Sequence, residues 1–404
     1  MLVQLSLLVI CLLQQQSQAF IQHQPVTPRK LFGFPQKTLQ NSLVTADEPN
    51  EIESDDQGDA STVVRAPLKF IGPYPCLALR FPDLSTTSQK ARNETGISLD
   101  FMLDTAANTN TIQEQVAKEL TLDVVGEALP GIGSAGSISG GKTYLLGDCE
   151  LDGTPTESRF TFMTELSASA LPIASPAAAG LLSSAFLNCF SGGVEFQWVG
   201  STDGDDTDSF IPPSVTFYGE RKDLQSRAES MTCIPIQPLP ISLLPSVTIH
   251  INGEEIPALL DTGSPVTVMN AKAADIANIS RITLSNQQKE EGGNPFSNMM
   301  QKMKAAQEMS QAAAKGDILL VGGTSGEMIE LNKSESKLNI SLKKDENELF
   351  ELGNSHIYVG DLPGLAALGG LEGKDSTPAA ILGMDVLRLR PNMIYCGQSS
   401  EVYF

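Results

Sequence analysis

Apolar and polar residues fall into short alternating or wholly apolar runs of about five to eight positions, the period-two pattern of strands. PCLALRF (75–81), the run that opens at Ile97, VEFQWV (194–199), PSVTIHI (245–251) and MIYC (393–396) are the clearest. Gly-rich turns separate these runs. Asn252-Gly253, between PSVTIHI and the apolar residues ending at Leu260, is a strong two-residue hairpin signal. Good helical segments are few, so the pattern predicts an all-β architecture.

One unit of that pattern occurs twice. Residues 97–112 read ISLDFMLDTAANTNTI and residues 254–269 read EEIPALLDTGSPVTVM; each carries a strand straight into Asp-Thr-small, small polar residues and a second short strand. Downstream, AAAGLLSSAFL (177–187) corresponds to AAILGMDVL (379–387), which aligns Leu182-Ser183-Ser184-Ala185-Phe186-Leu187 with Leu382-Gly383-Met384-Asp385-Val386-Leu387. Strand-like residues follow both. A single Asp-Thr-Gly also begins ordinary turns, but two such turns in matching strand contexts indicate two fused copies of one β-unit.

The second copy, apolar-apolar-Asp-Thr-Gly-Ser followed by Ile-Leu-Gly-Met-Asp-x-Leu, resembles an aspartic protease lobe of the retropepsin kind. The resemblance covers residues 65–404 and is weaker in the first copy. It implies a bilobal acid-protease fold: two retropepsin-like β-barrel lobes, 65–220 and 233–404, related by a pseudo-twofold and joined by a linker, 221–232. It implies an aspartic-type endopeptidase acting on a polypeptide substrate, with Asp104 and Asp261 as the catalytic pair. Thr105, Ala106, Thr262, Gly263 and Ser264 would form the supporting turns. Such a mechanism needs no covalent intermediate, metal or cofactor, and with fused lobes it needs no homodimer.

The first copy departs from the family pattern at two places. Ala106 stands where glycine is expected; its methyl matters little at ordinary dihedrals and much at positive φ. Ser183 replaces the glycine after the apolar pair, and a buried Ser can bond its own backbone turn. These departures keep a second reading open: a catalytically inactive protease-like module that binds an extended polypeptide or a protein partner.

Flap hairpins are expected between the signature elements of each copy. GIGSAGSISGGKTYLL (131–146) offers Gly133 and Ser134, and DILLVGGTSGEMIELN (317–332) offers Gly322 and Gly323, as candidate flap or substrate contacts. An insertion at 285–315 reads as a loop and then a helix over 297–314 with Met299, Met300 and Met303 on one side. Residues 333–350 read as a charged strand or hairpin.

Composition narrows the chemistry. The 404 residues carry 48 Asp+Glu against 27 Lys+Arg, a net charge of −21, which argues against nucleic acid as the main partner. Three histidines leave little material for a His-based metal site or triad. Cys11 lies in the leader; Cys76, Cys149, Cys189, Cys233 and Cys396 are odd in number and form no CxxC. The apolar stretch at residues 2–13 is too short to span a bilayer and, with Ala19 before Phe20, reads as a signal peptide over 1–19. No later stretch has transmembrane length. Residues 20–46 hold Arg29, Lys30, Lys37 and no acid, the composition of a transit peptide, so the expected destination is a plastid reached by the secretory route. A secreted or endomembrane-lumen protein with a flexible leader is the other reading. Residues 47–64 are an acidic linker.

Overall fold

The computed structural model describes residues 63–404 apart from 87, 90–91, 93–94, 129, 134–135, 154–159, 174, 199–211, 240–241, 283–306, 323–327, 363 and 366–376. The expected signal peptide, the transit-like segment, the acidic linker up to residue 62 and the Met-rich part of the insertion therefore lie outside the described residues. Residues 307–315, at the end of that insertion, are helical.

Strands form where the alternating pattern predicts them, and the two halves share one plan. In spatial order the first lobe's sheet runs Lys69–Ile71, Tyr74–Phe81, Ile97–Leu103, Gly180–Leu182, Thr111–Ile112, Met163–Ala170, Lys142–Leu151 and Asp123–Glu127. The second lobe repeats this order strand for strand: Gln237–Pro238, Pro245–Ile251, Glu254–Leu260, Ala380–Leu382, Val268–Met269, Tyr358–Val359, Met328–Lys333 and Ile318–Gly322. Parallel steps coincide as well. Ile97–Leu103 runs alongside Gly180–Leu182 as Glu254–Leu260 does alongside Ala380–Leu382. The Asn252-Gly253 hairpin closes Pro245–Ile251 onto Glu254–Leu260 with φ of 52° and 92°, the left-handed pair that a tight primed turn demands.

The lobes differ in closure. In the first, Leu79 and Arg80 pair with Leu151 and Glu150, which closes the sheet on itself. The matching positions of the second lobe, Ile249 and His250, pair instead with Leu342 and Ser341 of an added hairpin, Leu338–Lys343 with Leu349–Ser355. That hairpin is the charged segment read at 333–350.

A third sheet joins the halves. Its six strands run Val63–Pro67, Ser214–Tyr218, Gly193–Gln197, Asn392–Cys396, Glu401–Tyr403 and Cys233–Pro235, three from each lobe. The lobes meet antiparallel at its centre, with Val194 opposite Tyr395 and Phe196 opposite Met393. Both central strands are legible in the sequence; their partnership is not. Within the linker range, Arg221–Ala228 is a helix with a reciprocal Glu220–Asp223 capping box. Arg227 donates from Nε and Nη2 to Glu195 Oε1 at 2.8 and 2.7 Å, and Tyr218 Oη donates to Glu195 Oε2 at 2.6 Å, so the connector is bolted to the shared sheet.

Burial follows the alternation. Phe81, Phe101, Phe196, Trp198 and Phe217 are the largest fully buried side chains. All five described cysteines are free. Among the described residues no helix is long and apolar enough to cross a membrane.

Candidate active site

Each aspartate ends a strand whose last residues are wholly buried, Phe101-Met102-Leu103 and Ala258-Leu259-Leu260. Extra main-chain bonds from the neighbouring parallel strand fix the exits: the Asp104 N–H donates to Leu182 O at 2.9 Å and the Asp261 N–H to Leu382 O at 3.1 Å. The chain then turns tightly enough for a main-chain donor to reach back to each carboxylate. Ala106 N–H meets Asp104 Oδ1 at 2.8 Å, and Gly263 N–H meets Asp261 Oδ1 at 2.8 Å.

The threonines lock the turns together across the lobe boundary. Thr105 Oγ1 donates to Leu260 O at 2.7 Å, and Thr262 Oγ1 donates to Leu103 O at 2.8 Å. Each hydroxyl also accepts the other's N–H, at 3.1 Å both ways. Both threonines are fully buried, so each of these four bonds satisfies a group that water cannot reach.

This lock brings the aspartates into one site. Gly263, whose N–H holds Asp261, lies so close to the other carboxylate that a Cβ built on it would stand 2.3 Å from Asp104 Oδ2 and 2.5 Å from its Cγ. Both aspartates are buried, and Asp261 Oδ2 has no hydrogen-bond partner among the described residues. Burial pushes Asp104 up to about 7 against the opposing pull of the Ala106 and Ala107 N–H groups. Asp261 is also raised well above the usual carboxylate range, first by burial and then by the charge of Asp104.

Ala106 does not occupy the left-handed region, so its methyl strains no backbone. The methyl is fully buried in an apolar cluster with Leu244, Leu259, Val268 and Ile381 of the second lobe. Ser183 is also satisfied, but not by its own turn as expected: its N–H and Oγ both donate to Asn110 Oδ1 at 3.0 Å. In the second lobe Gly383 N–H donates to Thr267 Oγ1 at 3.0 Å, and that hydroxyl donates to the half-buried Asp385 at 2.7 Å. Asn110 and Thr267 each lie six positions beyond their aspartate, a shared spacing that could have exposed them. Asp385, raised to about 6 by burial, has only Ala185 as its first-lobe counterpart. Gly383 has no latitude: a Cβ there would meet Val266 O at 2.4 Å.

Two contacts escaped the sequence reading. Asn108 Nδ2 donates to Ser242 O at 2.9 Å, a second tie between the first turn and the other lobe. Tyr74 packs with Cys76, Met102 and Ala107 beside the first turn. Ser264 Oγ, predicted as a turn support, donates to Val266 O at 2.8 Å.

The expected flaps are hairpins. Gly131–Gly133 pairs with Gly136–Ile138, placing Gly133 opposite Gly136, and Ile318–Gly322 pairs with Met328–Lys333, placing Gly322 opposite Met328. Ser134 and Gly323 lie outside the described residues.

No protein-family model matches the chain, and no curated protein does. Among solved structures the chain is similar to the crystal structure of edgp, at 11% identity and a TM-score of 0.40 over 85% of this chain and 94% of that one. It is also similar to basic 7S globulin from soybean, at 10% identity and a TM-score of 0.41 over 85% and 96%.

Proposed function

We propose that this chain is an aspartic-type endopeptidase of the retropepsin-like kind, in which Asp104 and Asp261 share one proton. The reciprocal Thr105–Thr262 lock carries the proposal: four buried hydrogen bonds hold two carboxyl groups from distant parts of the chain in one place. Neighbouring buried carboxylates resist ionising together, so the pair titrates as a unit. Its ionised member takes a proton from water as the water oxygen bonds to the scissile carbonyl carbon. Its protonated member donates to the carbonyl oxygen. Collapse of the tetrahedral species breaks the C–N bond, and the proton passes to the departing amine.

Burial raises both carboxyls, so the one-proton form extends to higher pH than in a pair of ordinary carboxylates. Hydrolysis is therefore expected to peak at higher pH than that of a pair in the ordinary carboxylate range.

Ala106 favours a second reading, a protease-like module that binds an extended polypeptide without cleaving it. Hydrolysis of a peptide library by wild type and by Asp261→Asn, from acid to mildly alkaline pH, separates the two. Loss of turnover in the variant supports the peptidase. Turnover untouched by it refutes the shared-proton mechanism, and inactivity of both proteins with retained peptide binding supports the module.

A further inference from the structure

We propose that the Tyr74 hydroxyl is a third catalytic group of this site, donating a hydrogen bond, together with Asp261 Oδ2, to the oxygen of the scissile carbonyl as it becomes tetrahedral. The inference rests on the peptidase reading and assigns that site a second oxyanion donor.

Three observations converge on Tyr74. Its ring is 6% exposed and packed with Met102 and Ala107, which flank Asp104 by two and three positions. Its hydroxyl makes no hydrogen bond to another described residue, which leaves the polar end of the ring free for a ligand. The hydroxyl also senses both carboxylates: its pKa is pushed up to about 12, chiefly by burial, then by the charge of Asp261 and then of Asp104. Tyr74 is thus a neutral donor at neutral pH. Asp261, the stronger of its two charged neighbours, is the aspartate with the unpartnered Oδ2. The phenol and the unpartnered Oδ2 of Asp261 thus belong to the same buried site.

Sheet register shows that this donor belongs to one lobe only. Cys76 pairs with Met102, two residues before Asp104, and Ser246 pairs with Leu259, two residues before Asp261. Two positions before each partner stand Tyr74 and Leu244. Leu244 is fully buried and apolar. A single donor on one side of the pseudo-axis suits a carbonyl oxygen, which is bound once. In the reaction the phenol gives up no proton; it supplies a dipole where negative charge develops.

The test compares wild type, Tyr74→Phe and Asp261→Asn in peptide hydrolysis, with calorimetric binding of a statine-type peptide whose hydroxyl mimics the tetrahedral oxygen. Tyr74→Phe keeps the ring and is expected to leave thermal unfolding in place. It is expected to lower kcat by about 10²-fold with little change in KM, and to weaken statine binding by a comparable factor. Wild-type kcat and statine affinity in Tyr74→Phe, with turnover lost in Asp261→Asn, would overturn the Tyr74 assignment and leave the peptidase intact. A wild type with no Asp261-dependent turnover would overturn the peptidase reading and this donor role with it.

Discussion

Gly263 lies against the carboxylate of the other half of the site, and replacing it with alanine tests the geometry most directly. The new Cβ would stand 2.3 Å from Asp104 Oδ2, 2.5 Å from Cγ and 2.9 Å from Oδ1, where ordinary contacts begin near 3.4 Å. The overlap is about 1 Å, and neither side yields easily. Asp104 is held at Oδ1 by Ala106 N–H and at its own N–H by Leu182 O, while the Gly263 N–H is committed to Asp261. Forcing a methyl into such a place costs about 1–3 kcal/mol. At about 1–1.5 °C per kcal/mol for a chain of this length, thermal unfolding should move down by about 1–5 °C. Displacing a reacting carboxylate by about 1 Å should also lower peptide turnover by about 10²-fold. The measurements are a calorimetric scan and steady-state hydrolysis at the pH of maximal rate. Unchanged Tm together with unchanged turnover would mean that Gly263 and the Asp104 carboxylate are not in contact, and the single-site geometry would be wrong.

The opposite change, Ala106→Gly, is expected to raise turnover by restoring the glycine that the second turn carries at Gly263, and to cost about 1 kcal/mol of stability through backbone entropy and a lost buried methyl. A fall in kcat would show that the methyl supports the pair. Thr262→Val removes the donor to Leu103 O and the acceptor of Thr105 N–H, leaving two buried groups unpaired at about 1–3 kcal/mol each. Denaturant unfolding of both Thr→Val variants and their double should show strong non-additivity, because the four bonds form one unit; additive losses would contradict the lock. For Asp104→Asn the sign follows from the raised pKa. The folded state prefers the neutral carboxyl, so ionisation opposes folding; this penalty is absent below about pH 3.9 and grows as pH rises through the folded value near 7. The variant should therefore unfold at a higher temperature than wild type at pH 8 and at the same temperature at pH 3. A gap that opens on the acid side instead would refute the assignment.

Much of this architecture is legible along the chain because its rules are local. Alternation marks strands such as Tyr74–Phe81 and Pro245–Ile251, and Asn252-Gly253 fixes a turn from dihedral preference alone. The duplication is visible because matching turns follow matching strands. What stays hidden depends on partners far away in sequence. Nothing in VEFQWV or MIYC says that one strand pairs with the other, since strand pattern encodes a buried face and not the identity of the neighbour. Asn110 and Ser183 illustrate the same limit on a smaller scale. Serine at a glycine place reads as drift until an amide oxygen 73 positions away is seen to accept its N–H and its hydroxyl.

Departures from the duplicated plan acquire a common meaning at the dyad. Main-chain bonds to the two carboxylates, and the threonine bonds between their turns, match almost distance for distance, so the backbone alone gives no reason for the shared proton to prefer either side. A peptide carbonyl, however, is not symmetric, and a site that binds it in one orientation needs unlike halves. Three differences supply them: a methyl at 106 against none at 263, a phenol at 74 against an isobutyl group at 244, and a neutral Asn110–Ser183 contact against Thr267–Asp385. The methyl packs against the second lobe, and the phenol feels the charge of Asp261 more than that of Asp104. On this view Ala106 is part of what tells the two carboxyl groups apart, and a chain that restored the symmetric glycine while losing Tyr74 would keep its fold and lose its preference for which aspartate carries the proton.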